Sequence, residues 1–186
     1  MWPRVLFISL ALGGLAQADD AARIDAAASG YQGNLSINQA AGDLQQQANV
    51  RLISVGGAGI STSTIRQSID KLPAGSAARN TQANIDGNAF SGGSGVVGVT
   101  QAAGVGNQQA NVLSVTLLAA PQSLDDSVLA QSVTRADESL SATPMGERRA
   151  QMSNEAFSGS RGVVQLNQSS GIGNRTANHL SIRVVD

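Results

Sequence analysis

Amide side chains recur at fixed distances along this sequence, and their chemistry is uncharged hydrogen bonding. An amide carries both donors and acceptors, so identical amides stacked one above another can bond to each other in a ladder. Two sets of three residues have the matched spacing that such a ladder needs. The residues are Gln39, Gln101 and Gln168 in one set, and Asn49, Asn111 and Asn178 in the other. The pattern favours structural hydrogen bonding over a reactive centre.

Side chains suited to catalysis are few and scattered. His179 is the only histidine, and no group of acidic residues lies near it in the sequence to complete a metal or acid–base site. Asp125 and Asp126 fit a helix N-terminus better than an acid–base pair. The Gly-x-Gly motif at Gly104 precedes a predicted strand, whereas a phosphate-binding loop opens a helix. We therefore predict no catalytic, cofactor-binding or metal-binding residues.

The amides are positioned by three copies of one sequence unit. Residues 88–116 return 67 positions later, and a more divergent copy at 31–55 lies 62 positions before the middle one. Glycines also recur at one matched turn position: Gly42, Gly104 and Gly171. The predicted organisation is a signal peptide at 1–18, an N-terminal segment at 19–28, repeats at 29–55, 86–118 and 153–186, and linkers at 56–85 and 119–152.

Each unit alternates in hydropathy with a period of two, which predicts strands. Leu35, Ile37 and Gln39 share one face of the first strand. A turn rich in glycine and asparagine follows, including Asn107 and Asn174 in the second and third units, and a second alternating stretch comes next. The predicted unit is strand, turn, strand, and the fold class is all-β.

Both amide sets lie on the apolar-facing side of their strands. A buried amide without a partner costs about 1–3 kcal/mol. If the units stack as a β-solenoid or cross-β-like sheet, each amide meets its copy about 4.8 Å away and is satisfied. In the alternative, the amides end their strands and are solvated. Their presence in all three units favours stacking, either within one chain or between chains.

The stretches between the units are not copies of each other, and we predict them to be poorly ordered or partly helical. Ser123 to Asp126 fits the start of a short helix through Val133. Alternatively, Ser61 to Ile69 and Val128 to Val133 are edge strands.

The N-terminus has the pattern of a secretory signal peptide. Arg4 precedes an apolar run at Val5 to Leu15, and Ala16-Gln17-Ala18 fits a cleavage site. That run is too short to span a bilayer, and no later stretch reaches the ~18 apolar residues of a span. We expect an exported chain with no membrane span after cleavage.

Composition excludes several classes of protein. The net charge of −1 provides no field for binding nucleic acid, and the absence of cysteine excludes disulfides and thiol chemistry. Only Tyr31, Phe90 and Phe157 are aromatic outside the leader, and each lies at the entry of a repeat. We predict that these rings mark the unit boundaries and pack on apolar strand faces. A surface-binding role is the alternative.

Two sequence features are similar to those of a known protein family: the spacing Gln101-x5-Asn107-x2-Ala110 and the Ala-Phe-Ser-Gly opening of two units. They resemble the repeats of bacterial functional amyloid proteins, closer to the Fap type than to curlin. The resemblance implies a cross-β or β-solenoid fold, export through an outer-membrane pore, and residence at the cell surface or in the biofilm matrix. The Cys-x-x-Cys of the major fibre subunit is missing here, which favours a minor, nucleating or adhesive component.

The expected function is therefore assembly. The chain would be a secreted, non-enzymatic component of a surface amyloid that associates with itself or with other fibre subunits. The alternative is a periplasmic, chaperone-like protein that holds fibre subunits by pairing with their strand edges.

Overall fold

The computed structural model describes residues 19–55, 63–73, 76–118 and 146–185. The predicted signal peptide and the two alternatives for residues 123–133 lie outside the described residues. One short 3-10 turn spans Ser76–Ala78, and the remaining regular structure of the described part is β-strand. The strands are β1 (Asp19–Asp25), β2 (Gln32–Asp43), β3 (Gln46–Val55), β4 (Asn80–Asp86), β5 (Ser94–Val105), β6 (Gln108–Leu118), β7 (Arg148–Met152), β8 (Arg161–Ile172) and β9 (Arg175–Val185).

The strands form three parallel sheets of three strands each. Sheet A is β1-β4-β7, sheet B is β2-β5-β8 and sheet C is β3-β6-β9. We call β1–β3 rung 1, β4–β6 rung 2 and β7–β9 rung 3. The pairing is in register, so Gln101 lies between Gln39 and Gln168 in sheet B. The predicted all-β stack of repeats is confirmed, and the sheets of the described residues do not close into a barrel.

Each rung contains one strand more than the predicted strand–turn–strand unit. β1 falls in the segment 19–28, and β4 and β7 fall at the ends of 56–85 and 119–152, which sequence analysis assigns to linkers. These strands have only five to seven residues. Two apolar positions are buried in β1 (Ala22 and Ile24) and two in β4 (Ala83 and Ile85), whereas every residue of β7 is exposed. An alternation this brief does not separate a strand from a loop.

Sheet B is the middle layer, with sheet A against one face and sheet C against the other. In rung 2, β5 is buried at every position from Val97 to Val105. Val97 and Val99 face apolar residues of sheet A. The opposite face is polar, and there the Thr100 hydroxyl donates to Asn38 Oδ1 at 2.6 Å. The alternation of β5 therefore directs Val97 and Val99 towards sheet A and Thr100 towards sheet C.

The aromatic rings lie before the strands of sheet B. Phe90 is fully buried, and its ring stacks on that of Phe157 with the centroids 4.8 Å apart. Tyr31 is buried over Gly93, where a β-carbon would come within 1.9 Å of the ring. The surrounding apolar cluster contains Ile24, Ile85, Val97 and Val99. Two rings thus form one column between rungs 2 and 3, and the third fills a space left by glycine.

Residues 63–73 lie beside the stack without joining a sheet. Gln67 donates to the backbone oxygens of Gln46 at 3.1 Å and Gln109 at 3.2 Å. Leu72 fills the space where a β-carbon on Gly106 would lie. Because side-chain contacts of this kind replace a backbone ladder, the strand predicted from Ser61 is wrong for the described part of that segment.

Leu44 has an unusual backbone conformation in the turn between β2 and β3. Its φ is 53°, and the matched positions in the other rungs are Gly106 and Gly173. A non-glycine residue in this region is strained, and the Leu44 side chain is largely exposed. Leu44→Gly should therefore raise the free energy of unfolding by up to about 1 kcal/mol in urea denaturation, after the larger entropy loss of glycine is included. Leu44→Ala keeps the strain, so an equal gain in that control would contradict this explanation.

Candidate assembly site

One column of glutamines runs between sheets A and B. Gln101 donates to Gln39 Oε1 at 2.7 Å, and Gln168 donates to Gln101 Oε1 at 2.9 Å. The amide groups also reach backbone oxygens of sheet A. Gln39 donates to Arg23 O at 2.6 Å, and Gln101 to Asn84 O at 2.9 Å. Gln101 is fully buried. The column joins the three rungs to one another and sheet B to sheet A.

A parallel column of asparagines joins sheets B and C. Asn111 donates to Asn49 Oδ1 at 2.8 Å, and Asn178 donates to Asn111 Oδ1 at 3.0 Å. Asn111 also donates to Val99 O at 3.0 Å, and Asn178 to Leu166 O at 2.9 Å. Asn111 has no exposed surface, so these bonds replace the water that its amide loses on folding.

A third amide column occupies the turn between sheets B and C. Asn107 donates to Ala103 O at 3.0 Å, and its Oδ1 accepts from Asn174 Nδ2 at 2.9 Å. In rung 1 the same place belongs to Gln45, which donates to Gly104 O at 2.6 Å. Gln45 is not predicted from the sequence, because the repeat places asparagine at this turn position in the other two units.

A further set of glutamine pairs is also absent from the sequence prediction. Gln108 donates to Gln46 Oε1 at 2.8 Å, and Gln47 donates to Gln109 Oε1 at 3.2 Å. The available signal is a Gln-Gln pair that returns 62 positions later. The third unit has no Gln-Gln pair at this position, so the pair is not among the residues that all three units share.

The turn glycines that the three units share form one column in register. A β-carbon on Gly42 would lie 2.0 Å from Gly104 O, and one on Gly104 would lie 2.0 Å from Gly171 O. On Gly171, the nearest atom to a β-carbon would be Arg148 Cδ at 3.0 Å. A backbone oxygen of the next rung therefore blocks a side chain at the first two positions, whereas at Gly171 the nearest atoms belong to the side chains of Arg148 and Asn174 in its own rung.

Charged groups meet at the rung 1 end of this column. Arg79 binds Oδ1 of Asp20 and Oδ2 of Asp43, each at 2.6 Å. The second oxygen of Asp20, Oδ2, is buried without a hydrogen-bond partner. Burial raises the pKa of Asp20, and the attraction of Arg79 opposes this.

Arg51, in β3, is a second charged residue with a shifted pKa. Burial lowers the pKa of its guanidinium group.

Comparison with known proteins identifies the family. The family model described as functional amyloid protein FapB/FapC matches residues 10–185. The chain belongs to this family. The resemblance to Fap-type proteins drawn from the repeats is confirmed, and the chain is a functional amyloid protein. No solved structure gives a significant match.

His179 is the only histidine of this FapB/FapC-family chain. His179 lies in β9, in register with Val112 of the neighbouring strand. Among the described residues, no group of three or more His, Cys, Asp or Glu is arranged to hold a metal ion. In the same residues, no helix is long and apolar enough to cross a membrane.

The stack of this FapB/FapC-family chain has two open edges within its described part. Rung 1 pairs only with rung 2, and rung 3 also pairs only with rung 2. The outer sides of these strands present N–H and C=O groups that template the addition of another strand. The amide columns run to the same two edges, ending at Gln39 and Asn49 on one and at Gln168 and Asn178 on the other. This pair of edges is the candidate assembly site.

Proposed function

We propose that this chain is a secreted, non-enzymatic component of a bacterial surface amyloid and that it acts by β-strand assembly. The observation that carries the proposal is the pair of open, parallel edges at which the amide columns end. Family membership supports the amyloid role, and the sequence pattern of the leader supports export.

Assembly would repeat the contacts that already join the rungs. Rung 3 of one copy would pair with rung 1 of the next, bringing Gln168 beside Gln39 and Asn178 beside Asn49. These edges differ from each other, so the contact is heterologous, and repeated addition along the stacking direction does not bring the last edge back to the first. A contact of that type produces a filament with parallel, in-register strands.

Within the fibre system, we assign the chain a minor role as a nucleating or adhesive subunit. The absence of the Cys-x-x-Cys motif supports this assignment. Its partners would be copies of itself, other fibre subunits and the outer-membrane pore that exports it. Its location would be the cell surface and the biofilm matrix.

Fibre growth by the purified chain without residues 1–18 tests the proposal. We expect thioflavin-positive fibres that seed further growth and give diffraction spacings near ~4.7 and ~10 Å. A folded monomer that forms no fibres and delays fibre formation by another subunit would favour the chaperone-like alternative instead. A chain with neither behaviour would contradict both.

A further inference from the structure

The two open edges of the stack carry opposite charges. Rung 1 strands contain four aspartates and two arginines. Rung 3 strands contain five arginines and no acidic residue. Those arginines are Arg148, Arg149, Arg161, Arg175 and Arg183. None of them is in an ion pair with another described residue. Three of the four aspartates already pair within the chain, Asp25 with Arg23 and Asp20 and Asp43 with Arg79. A head-to-tail stack therefore places the unpaired cations of rung 3 beside a rung 1 whose strands contain more carboxylates than arginines.

The register of sheet A shows which charges would meet. Asp20 pairs with Thr81, and Thr81 pairs with Arg148. The side chains of Asp20 and Arg148 lie in equivalent places. Asp20 Cγ is 2.9 Å from a β-carbon built on Gly42, and Arg148 Cδ is 3.0 Å from one built on Gly171. A stack that continues this register puts Arg148 of one copy one strand spacing, about 4.8 Å, from Asp20 of the next.

The carboxylate of Asp20 is hydrogen-bonded at only one of its two oxygens within the described residues. Arg79 binds Oδ1 from the rung 2 side, whereas Oδ2 is buried and unbonded in the described residues. Arg148 is exposed and has no carboxylate partner among them. A buried, half-satisfied carboxylate gains strongly from a charged hydrogen bond, because burial weakens competition from water.

Arg148 differs from the other arginines of its edge in what it would face. Continued register places the other four opposite uncharged residues of rung 1: Ala21, Gln32, Gln46 and Ser54. Glu147, next to Arg148, would fall opposite Asp19, and both of these carboxylates are exposed. An exposed like-charge contact is screened and weak, so it opposes the Asp20 contact only slightly.

We propose that Arg148 of one chain and Asp20 of a second copy form an ion pair that fixes the direction and register of chain addition. The proposal rests on the proposed function, since it requires that copies of the chain assemble. Head-to-head or tail-to-tail contact would instead bring like charges together, which disfavours both.

Seeded growth of charge-neutral variants at low salt tests the pair. Arg148→Gln should raise the concentration of chain left soluble at the end of growth by on the order of tenfold. Arg149→Gln is the matched control, because it removes the same charge one residue away, opposite Ala21. In chains that already carry Asp20→Asn, Arg148→Gln should add less than about twofold, because the partner is gone. Circular dichroism of each monomer checks that the fold is retained.

The possible results distinguish the ion pair from the assembly function on which it depends. Normal fibres in which Arg148→Gln and Arg149→Gln behave alike would overturn the ion pair and leave the assembly function standing. An undiminished effect of Arg148→Gln in the Asp20→Asn background would also overturn it. Failure of the parent chain to form fibres would overturn both proposals.

Discussion

Asn111→Leu should lower the free energy of unfolding of the single chain by about 3 kcal/mol. Leucine is close to asparagine in size, so the main change is the loss of the amide. The substitution leaves Asn49 Oδ1 without its donor and removes the acceptor used by Asn178. It also removes the bond to Val99 O in a place that water does not reach. Orphaned polar groups of this kind carry their full desolvation penalty.

Urea denaturation of the monomer measures this effect, and Asn178→Leu is the control. Asn178 is only half-buried at the open edge, so the same change there should cost about 1 kcal/mol. In fibres, Asn178 would lie between two rungs like Asn111, and the two variants should then weaken assembly to a similar degree. An unchanged urea midpoint for Asn111→Leu would show that the amide column does not stabilise the fold.

The sequence predicts the part of this fold that depends on strict repetition. Spacings of 62 and 67 residues set the register of sheets B and C, because equal spacing brings equal residues together. In sheet A, Asp20 and Thr81 lie 61 positions apart, which shifts β1 out of the alignment that reveals the other two sheets. Thr81 and Arg148 keep the spacing of 67, but β7 has only five residues and matches its partners in β4 at one position, where both have alanine. Short strands with a shifted spacing or few shared residues leave little trace in a comparison of repeats.

The charged groups of the candidate site are hidden for a related reason. Asp20, Thr81 and Arg148 occupy one column of sheet A with three unlike residues. Such a column is not visible among the residues that the repeats share. Its charge nevertheless changes from one end of the stack to the other, and this difference distinguishes the two directions in which chains could add. The buried Oδ2 of Asp20 depends on packing against the turn at Gly42, and tertiary contacts of that kind cannot be read from spacing.

Gly104→Ala and Gly171→Ala should have opposite consequences for folding and assembly. In Gly104→Ala the new methyl group would lie 2.0 Å from Gly171 O inside the chain, at a φ of 113°. Backbone cannot yield at the middle of three rungs, so we expect a loss of more than about 4 kcal/mol and no stable fold. Gly171→Ala faces only side chains, with Arg148 Cδ at 3.0 Å and Asn174 Nδ2 at 3.4 Å, so we expect a folded monomer weakened by about 1–3 kcal/mol of backbone strain at a φ of 124°.

The same methyl group on Gly171 should block growth, because a following copy would place Gly42 O where Gly171 O lies relative to Gly104. A Gly171→Ala chain can still dock through its normal rung 1, so it should cap one end of a growing fibre. Gly33→Ala should cap the other end, since a β-carbon on Gly95 already points at Gly33 O, 2.1 Å away, and Gly33 itself has nothing within 4 Å.

Seeded growth with a small fraction of each variant measures this capping. Each alone should stop one end and leave the other growing, and the two together should stop growth altogether. Gly173→Ala is the control, because it shares the positive φ, at 62°, while the nearest atom to its β-carbon is Leu72 Cδ1 at 3.9 Å. It should fold and grow without capping. Parallel addition in register requires the close approach of glycines at every joint, so full growth in the presence of both capping variants would mean that chains join in some other way.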